Sequence, residues 1–478
     1  MSYHSSPLQN IRNLLIILAI FLPSFSFFLR PSSSATGLLA LPSNLPHVSP
    51  EMGNPQFWIR KIQNPHRIIL SPEEVRKMNE INLRRRDLYL FDLNEIPEEL
   101  SREESLAMMK EDWDAFIVPG EVRYGRNGTP LGDPFWNELK ANLNQESLKE
   151  HNRTLLGLVV KRTDIRVFPT DEQSNATPEP EGFDRFQHSS ISPGALVGIY
   201  HLSRDKRWAY VQTQFIRGWI LISSLAISRQ KDEALGYERT KGRLVIGGSF
   251  VNVFSDPSLQ QVAFQAQMGN SFPLLAKPAQ AGGSTPYTVI HAPFREIDSS
   301  LTFRKAYLPR NADVHEGFLP YTQENVVRQA FKMIGESYGW GEMSGGRDCS
   351  RFIMDIFASC GIVMPRNSKF QAMVGKDLGA IEGKKVQEKR HVLDRAVPCA
   401  TLLRLPGHIM LYLGKDHGRY YAIHSLWAVQ RSGASGRALD KINRVVVSDL
   451  SLGSSGSNGS LLDRLTDVRL IGNFGNLP

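Results

Sequence analysis

"GGRDCSRFIMDIFASCG", Gly345 to Gly361, decides how the chain is read. Behind Cys349 the apolar residues Phe352, Ile353, Ile356, Phe357 and Cys360 recur at helical spacing, and Gly361 supplies a helix stop. The spacing therefore predicts a helix whose first turn carries a thiol. A helix N-terminus favours a thiolate through its free N–H groups and dipole. The glycines before Cys349 allow a tight turn, so the sulfur is expected to face outward, exposed and supporting no core.

A cysteine nucleophile needs a base, commonly a histidine brought to it by the tertiary fold. Of the twelve histidines, His408 and His424 each fall in an alternating strand, "HIMLYLG" (His408 to Gly414) and "RYYAIHS" (Arg419 to Ser425). Pairing His408 with His424 across one hairpin sets Leu413 opposite Arg419 and leaves Lys415, Asp416 and His417 as the loop. Both imidazoles then share a face. A Cys–His–His relay follows, in which His408 takes the thiol proton and His424 orients His408 and fixes its tautomer. One cysteine and two histidines also suit zinc, but no second cysteine or carboxylate stands at ligand spacing, so no metal or other cofactor is expected.

Upstream, residues 50–156 are rich in charge and helix formers; "SPEEVRKMNEIN" offers Ser71 as a cap, Pro72 at the first helical position and Glu74 to close a capping box. Short β-rich runs then separate two units, 157–228 and 240–310, each of the size and pattern of a small barrel. The last unit, 318–478, opens with "YTQENVVRQAFKMIGESYGW", where Thr322 caps a helix burying Val327, Ala330, Phe331 and Ile334. "AQAGGSTP" and "SLGSSGSNGS" read as flexible loops. Helix, nucleophile, helix and then antiparallel strands is an α+β order.

With 478 residues the chain divides into several domains, and 41% hydrophobic with 22% charged residues is an ordinary globular balance. "LLIILAIFL" (Leu14 to Leu22) behind Arg12 reads as a secretory signal over residues 1–35; an uncleaved anchor, the membrane's only contact with the chain, is the alternative. Three cysteines make no disulfide framework, and Cys360 and Cys399 read as buried fillers. The net charge of +8 suits an anionic surface, yet no nucleic-acid motif accompanies it.

"YGWGEMSGGRDCS" (Tyr338 to Ser350) resembles the Tyr-x-Trp-Gly-Gly…Asp-Cys-Ser signature of NlpC-type cell-wall cysteine peptidases. "MPRNSKFQ", "GHIMLYLG" and "YAIHS" match that family's later segments in order, and "KRTDIRVFPT" and "FDRFQHS" are similar to the first bacterial SH3-type barrel of its multidomain subgroup. Two positions depart: Glu342 replaces the second glycine of Trp-Gly-Gly, and Arg351 replaces the glycine after Asp-Cys-Ser. The resemblance implies an α+β, permuted papain-like peptidase domain behind two SH3-like barrels and a helical clip-like region. The leader implies export to the periplasm or cell envelope, and the chain is expected to act as a monomer without a cofactor. Its substrates would be peptidoglycan stem peptides or murein fragments, cut between γ-D-glutamate and the diamino acid, with turnover fragments bearing a free N-terminal L-alanine preferred. Cys349, His408 and His424 would be catalytic; Asp348 and Ser350 would meet the alanine ammonium, Ser368 the glutamyl group, and Tyr338 the oxyanion. The loop carrying Asp184 is a further expected ammonium contact. A non-catalytic wall-binding protein and a papain-like acyltransferase are the other readings of the same residues.

Overall fold

The computed structural model describes residues 45–276, 287–430 and 439–472; the leader (1–35) and "AQAGGSTP" lie outside them. The described residues fall in one compact unit, within which four regions are distinguished by their sheets and cores.

The N-terminal region has no core of its own. Its first part holds α1 (Pro55–Ile59), β1 (Ile68–Leu70) and α2 (Pro72–Arg84), where Ser71 and Glu74 form the capping box that the sequence predicts. Trp58, Ile59, Ile69, Leu70 and Val75 are buried in the core of the last domain, and the Trp58 ring lies 5.4 Å from that of Tyr421. The second part holds β2 (Glu99–Ser101), α3 (Arg102–Phe116), α4 (Asp133–Asn142) and β3 (His151–Arg153). Here Met109, Leu139 and Leu143 join Phe168, Phe186, Trp208 and Trp219 of the first barrel. The expected N-terminal region is thus divided between two neighbouring cores. Its apolar stripes are too narrow to bury one another, and each is covered by a neighbouring domain instead.

The first barrel contains β4 (Leu155–Val159), β5 (Thr163–Arg166), β6 (Gln187–Ile191), β7 (Leu196–Leu202), β8 (Trp208–Gln212), β9 (Arg217–Leu221) and β10 (Leu225–Ile227), in the order β10-β4-β7-β8-β9-β5-β6. Helix α5 (Lys231–Arg239) leads to the second barrel. That barrel comprises β11 (Arg243–Ile246), β12 (Phe250–Phe254), β13 (Val262–Gln267), β14 (Ser271–Ala276), β15 (Tyr287–Arg295), β16 (Leu301–Pro309) and β17 (Val314–Glu316), so it runs past residue 310. At its contact with the last domain a Cβ on Gly269, whose φ is +82°, would sit 2.5 Å from that of Ala358. Only glycine permits that approach.

In the last domain β18 (Tyr321–Thr322) precedes α6 (Gln323–Lys332), capped by Thr322, and α7 (Cys349–Ser359) and α8 (Ser368–Gln371) follow. Next come β19 (Lys376–Asp377), α9 (Val386–Leu393), β20 (Thr401–Leu405), β21 (His408–Asp416), β22 (Arg419–Gln430), β23 (Leu439–Asp449) and β24 (Asp467–Leu470). The strands form an antiparallel sheet ordered β19-β24-β20-β21-β22-β23, against which α7 packs its apolar stripe. Residues 451–460 build successive turns ending at the cap Ser460.

Around α7 the three last regions are joined by buried charge. Arg347 pairs with Asp355 and Glu336, both at 2.6 Å, and donates to the second barrel at Ser249. Arg351 pairs with Asp355 (2.6 Å) and Glu342 (3.0 Å), and the Glu342 carboxylate accepts from Ser189 and Ser190 of the first barrel. Gln267 of the second barrel donates to Asp355 at 2.7 Å. A chain beginning at residue 318 strips these groups of their barrel partners and opens the Trp58 site. It should show neither native near-ultraviolet circular dichroism nor a cooperative melt, whereas the full chain shows both.

Candidate active site

Helix α7 starts where it does because Asp348, in extended conformation, accepts from the Arg351 N–H at 2.8 Å. The loop before it folds onto itself: a Cβ on Gly346 would lie 2.7 Å from the Gly339 nitrogen. That turn directs Cys349 inward, contrary to the sequence-based expectation of an exposed sulfur. Cys349 is 7% exposed, and the N–H groups of Ile409 and Ser350 face its thiol. Burial, then the neighbouring Asp348 charge, push the thiol up to about 12 against the help of those N–H groups and Arg366. The helix start alone does not make a thiolate here.

Ile409 follows His408, so the sulfur lies beside the first residues of β21. The histidines meet, but not in the expected register. The β21–β22 turn is only His417–Gly418, both at positive φ, and a bulge between Tyr412 and Gly414 shifts the pairing to Leu411 with Ile423. Continued along the strands, that register sets His424 opposite Met410, one diagonal step from His408 on the same face. His408 Nε2 and His424 Nδ1 are 2.6 Å apart, and His424 Nε2 is 2.8 Å from Ser448 Oγ on β23. Burial holds His408 down to about 4, with Arg464 adding to it and Asp348 opposing. His424 is held well below the ordinary imidazole range by burial and by His408. The resting pair is accordingly a neutral thiol and a neutral imidazole.

Asp348 and Ser350 are not free polar groups. Arg366 grips the Asp348 carboxylate at 2.6 and 3.1 Å and donates to Ser350 Oγ at 2.7 Å, while Ser350 donates to Asp348 at 3.0 Å. Asp184 is corrected as an ammonium contact: it is 1% exposed and paired with Arg166 at 2.6 Å. The loop around it does reach the site, because Phe183 packs between Tyr338, Trp340 and Trp427, and Trp340 Nε1 donates to the Asp184 carbonyl at 2.9 Å. The Tyr338 hydroxyl is raised by burial and by the charges of Cys349 and Asp348, so it keeps its proton and can donate. Ser368 is half-buried at the first turn of α8.

Sequence reasoning passed over Arg366, Ser448 and the partnership of the two departing residues. Glu342 has φ +66°, the left-handed region that suits glycine, and a side chain there costs about 1–2 kcal/mol. Its carboxylate lies opposite Arg351, so one departure faces the other. Ser448 carried one signal, a lone hydroxyl in the apolar run "VVVSD". Among the described residues no cluster of three or more histidine, cysteine, aspartate or glutamate side chains could hold a metal ion.

The fold and site thus define a multidomain chain in which SH3-like barrels precede a papain-like domain with clustered cysteine and histidines. The sequence profile of the NlpC/P60 family matches residues 335–432, and that of the SH3 domain (SH3b1 type) matches residues 175–221. The chain thus carries an NlpC/P60-type domain behind an SH3b-type domain, and its overall layout resembles multidomain proteins of the NlpC type. Among solved structures it resembles an NlpC/P60 endopeptidase from Photobacterium damselae subsp. piscicida, with 18% identity, 86% of this chain and 96% of that one covered, and a TM-score of 0.69. An NlpC/P60 family protein from Bacillus cereus aligns over 68% of this chain and 100% of its own, at 14% identity and a TM-score of 0.46. No curated protein sequence matches.

Two outcomes follow. Alkylation of Cys349 by iodoacetamide, followed by mass spectrometry of its tryptic peptide, should climb through alkaline pH; full-rate labelling at pH 6 that vanishes in His408→Ala would mean a preformed ion pair. Breaking the Glu342–Arg351 pair should destabilise by about 3–5 kcal/mol in Glu342→Gln or Arg351→Met, and by less than the sum in the double variant. Arg351, Arg162 and Arg366 hold the Glu342 pKa at about 2 against burial, from an ordinary 4.5. Its stabilisation is therefore present above pH 4.5 and lost as pH falls toward 2, where the Glu342→Gln melting curve should approach that of the parent protein.

Proposed function

We propose that the protein is a cysteine endopeptidase that hydrolyses the bond between γ-D-glutamate and the diamino acid of peptidoglycan stem peptides. The observation that carries this reading is the 2.6 Å contact of His408 Nε2 with His424 Nδ1 beside the Cys349 thiol. With Nε2 engaged by His424, Nδ1 of His408 is the nitrogen left for the thiol. The NlpC/P60 match over residues 335–432 supports the same chemistry.

The thiol proton passes to His408 Nδ1 as Sγ attacks the scissile carbonyl, which converts a neutral pair into thiolate and imidazolium only when substrate is present. Tyr338, protonated at working pH, donates to the developing oxyanion. The diamino-acid amine leaves with the proton from His408, and the γ-glutamyl fragment remains as a thioester on Cys349. Water, deprotonated by His408, hydrolyses that thioester and regenerates the thiol. Ser368 lies where α8 begins and is assigned to the glutamyl group. An alanine ammonium at Asp348 and Ser350 would share the carboxylate with Arg366. The Phe183 loop closes one side of the cleft, which favours short fragments ending in a free L-alanine over the continuous wall. This activity belongs in the cell envelope or outside the cell, and no described helix is long and apolar enough to cross a membrane.

The test is incubation of the full chain with L-Ala-γ-D-Glu-diaminopimelate, free or N-acetylated, with products identified by mass spectrometry. Cleavage at the glutamyl–diaminopimelate bond, faster with the free amine, is expected; cleavage elsewhere, or none, refutes the reading. Cys349→Ala should abolish turnover and His408→Ala should nearly do so, while His424→Gln should retain partial activity because it can still accept one orienting hydrogen bond.

A further inference from the structure

We propose that Ser448 is a positioning residue: its Oγ accepts the Nε2–H of His424 and so fixes which nitrogen of His408 is left to take the thiol proton. This rests on the cysteine-peptidase reading of the site.

The three side chains form one diagonal across three neighbouring strands. His424 pairs with Val446 and Ala422 with Ser448 across β22 and β23, so Ser448 lies one diagonal step from His424, on the face that His408 reaches from β21. Diagonal neighbours on one face lie within reach of long side chains, and both contacts are made, at 2.6 and 2.8 Å. His424 and Ser448 are fully buried, so no water substitutes for either partner.

The order of protons along this line is forced from the catalytic end. For Nδ1 of His408 to accept a proton, its Nε2 must already carry one. That Nε2–H points at His424 Nδ1, which must therefore hold a lone pair. The single proton of neutral His424 is then on Nε2, and the Ser448 hydroxyl is the group placed to accept it. In the opposite order Ser448 donates to His424, His424 donates to His408, and His408 presents an N–H to the thiol, which cannot act as a base. Without the hydroxyl a buried imidazole N–H loses its acceptor, and both tautomers of His424 become comparable in energy.

The tautomers can be read directly in the resting protein. In the full chain labelled with 15N-histidine, long-range proton–nitrogen correlation spectra near neutral pH should show both His408 and His424 protonated at Nε2. Ser448→Ala should change the His424 pattern and lower kcat about 10- to 100-fold with KM unchanged, comparable to removing the outer hydrogen-bond partner of a metal-bound histidine. Ser448→Thr, which keeps the hydroxyl and suits a strand, should restore both. A proton on Nδ1 of His424 in the parent protein overturns the proposal, even if Ser448→Ala does not fold. So does an alanine variant with the parent's spectrum and kcat. If the spectra are as expected but no stem peptide is cut, the peptidase reading fails while the hydrogen-bond order stands.

Discussion

Charge buried around the start of α7 is the constraint on which the rest of this molecule depends. Arg347, Arg351 and Arg366, together with Arg162 of the first barrel, face Glu336, Glu342, Asp348 and Asp355. Removing such charges from water costs several kcal/mol per ion, and the cost is met only where each has partners in good geometry. Here the partners come from three regions at once: Ser189 and Ser190 from the first barrel, Ser249 and Gln267 from the second. The barrels are consequently structural parts of the papain-like domain. Domains joined by mobile linkers could not leave Arg347, Arg351 and Arg366 buried in this way.

The same network sets the chemistry of the cysteine. Asp348 caps α7 and holds Arg366, and its negative charge adds to burial in keeping the thiol protonated. A sulfur at a helix start would ordinarily be read as activated by the dipole. In this site burial wins, because the sulfur is enclosed and the Asp348 carboxylate acts with burial to disfavour the thiolate. Under the proposed mechanism, activation falls to the histidine pair and to the arrival of substrate. The Phe183 loop packs on Tyr338, Trp340 and Trp427 and is anchored by the Trp340 hydrogen bond to the backbone at Asp184.

The two departures from the family signature are explained together. Glu342 occupies a left-handed backbone position where glycine would cost nothing, and its side chain reaches Arg351, Ser189 and Ser190. A residue that is strained alone becomes favourable when the residue it meets has also changed. Position by position each substitution looks disruptive, whereas in the folded chain they share one ion pair.

The residues that could do chemistry were legible in the sequence, because their signals are local. The cap and apolar stripe of α7, the alternation of β21 and β22, the capping box at Ser71 and the strand-rich composition of the barrels each arise within a few residues of chain. The sequence also supplied the pairing of Cys349 with His408 and His424 as candidates. It did not supply the histidine register, since a single bulged residue near Leu413 shifts the pairing without altering the apolar alternation. Nor did it reveal that Cys349 is enclosed, that Asp184 is spent on Arg166, or that the N-terminal region is shared between two domains. Ser448, Arg366 and the Glu342–Arg351 pair were out of reach for the same reason: their partners lie tens to hundreds of residues away or on another turn. Local patterning determines which segments form and which side chains they carry; only tertiary packing decides which of those side chains lose water and which charge they lose it beside.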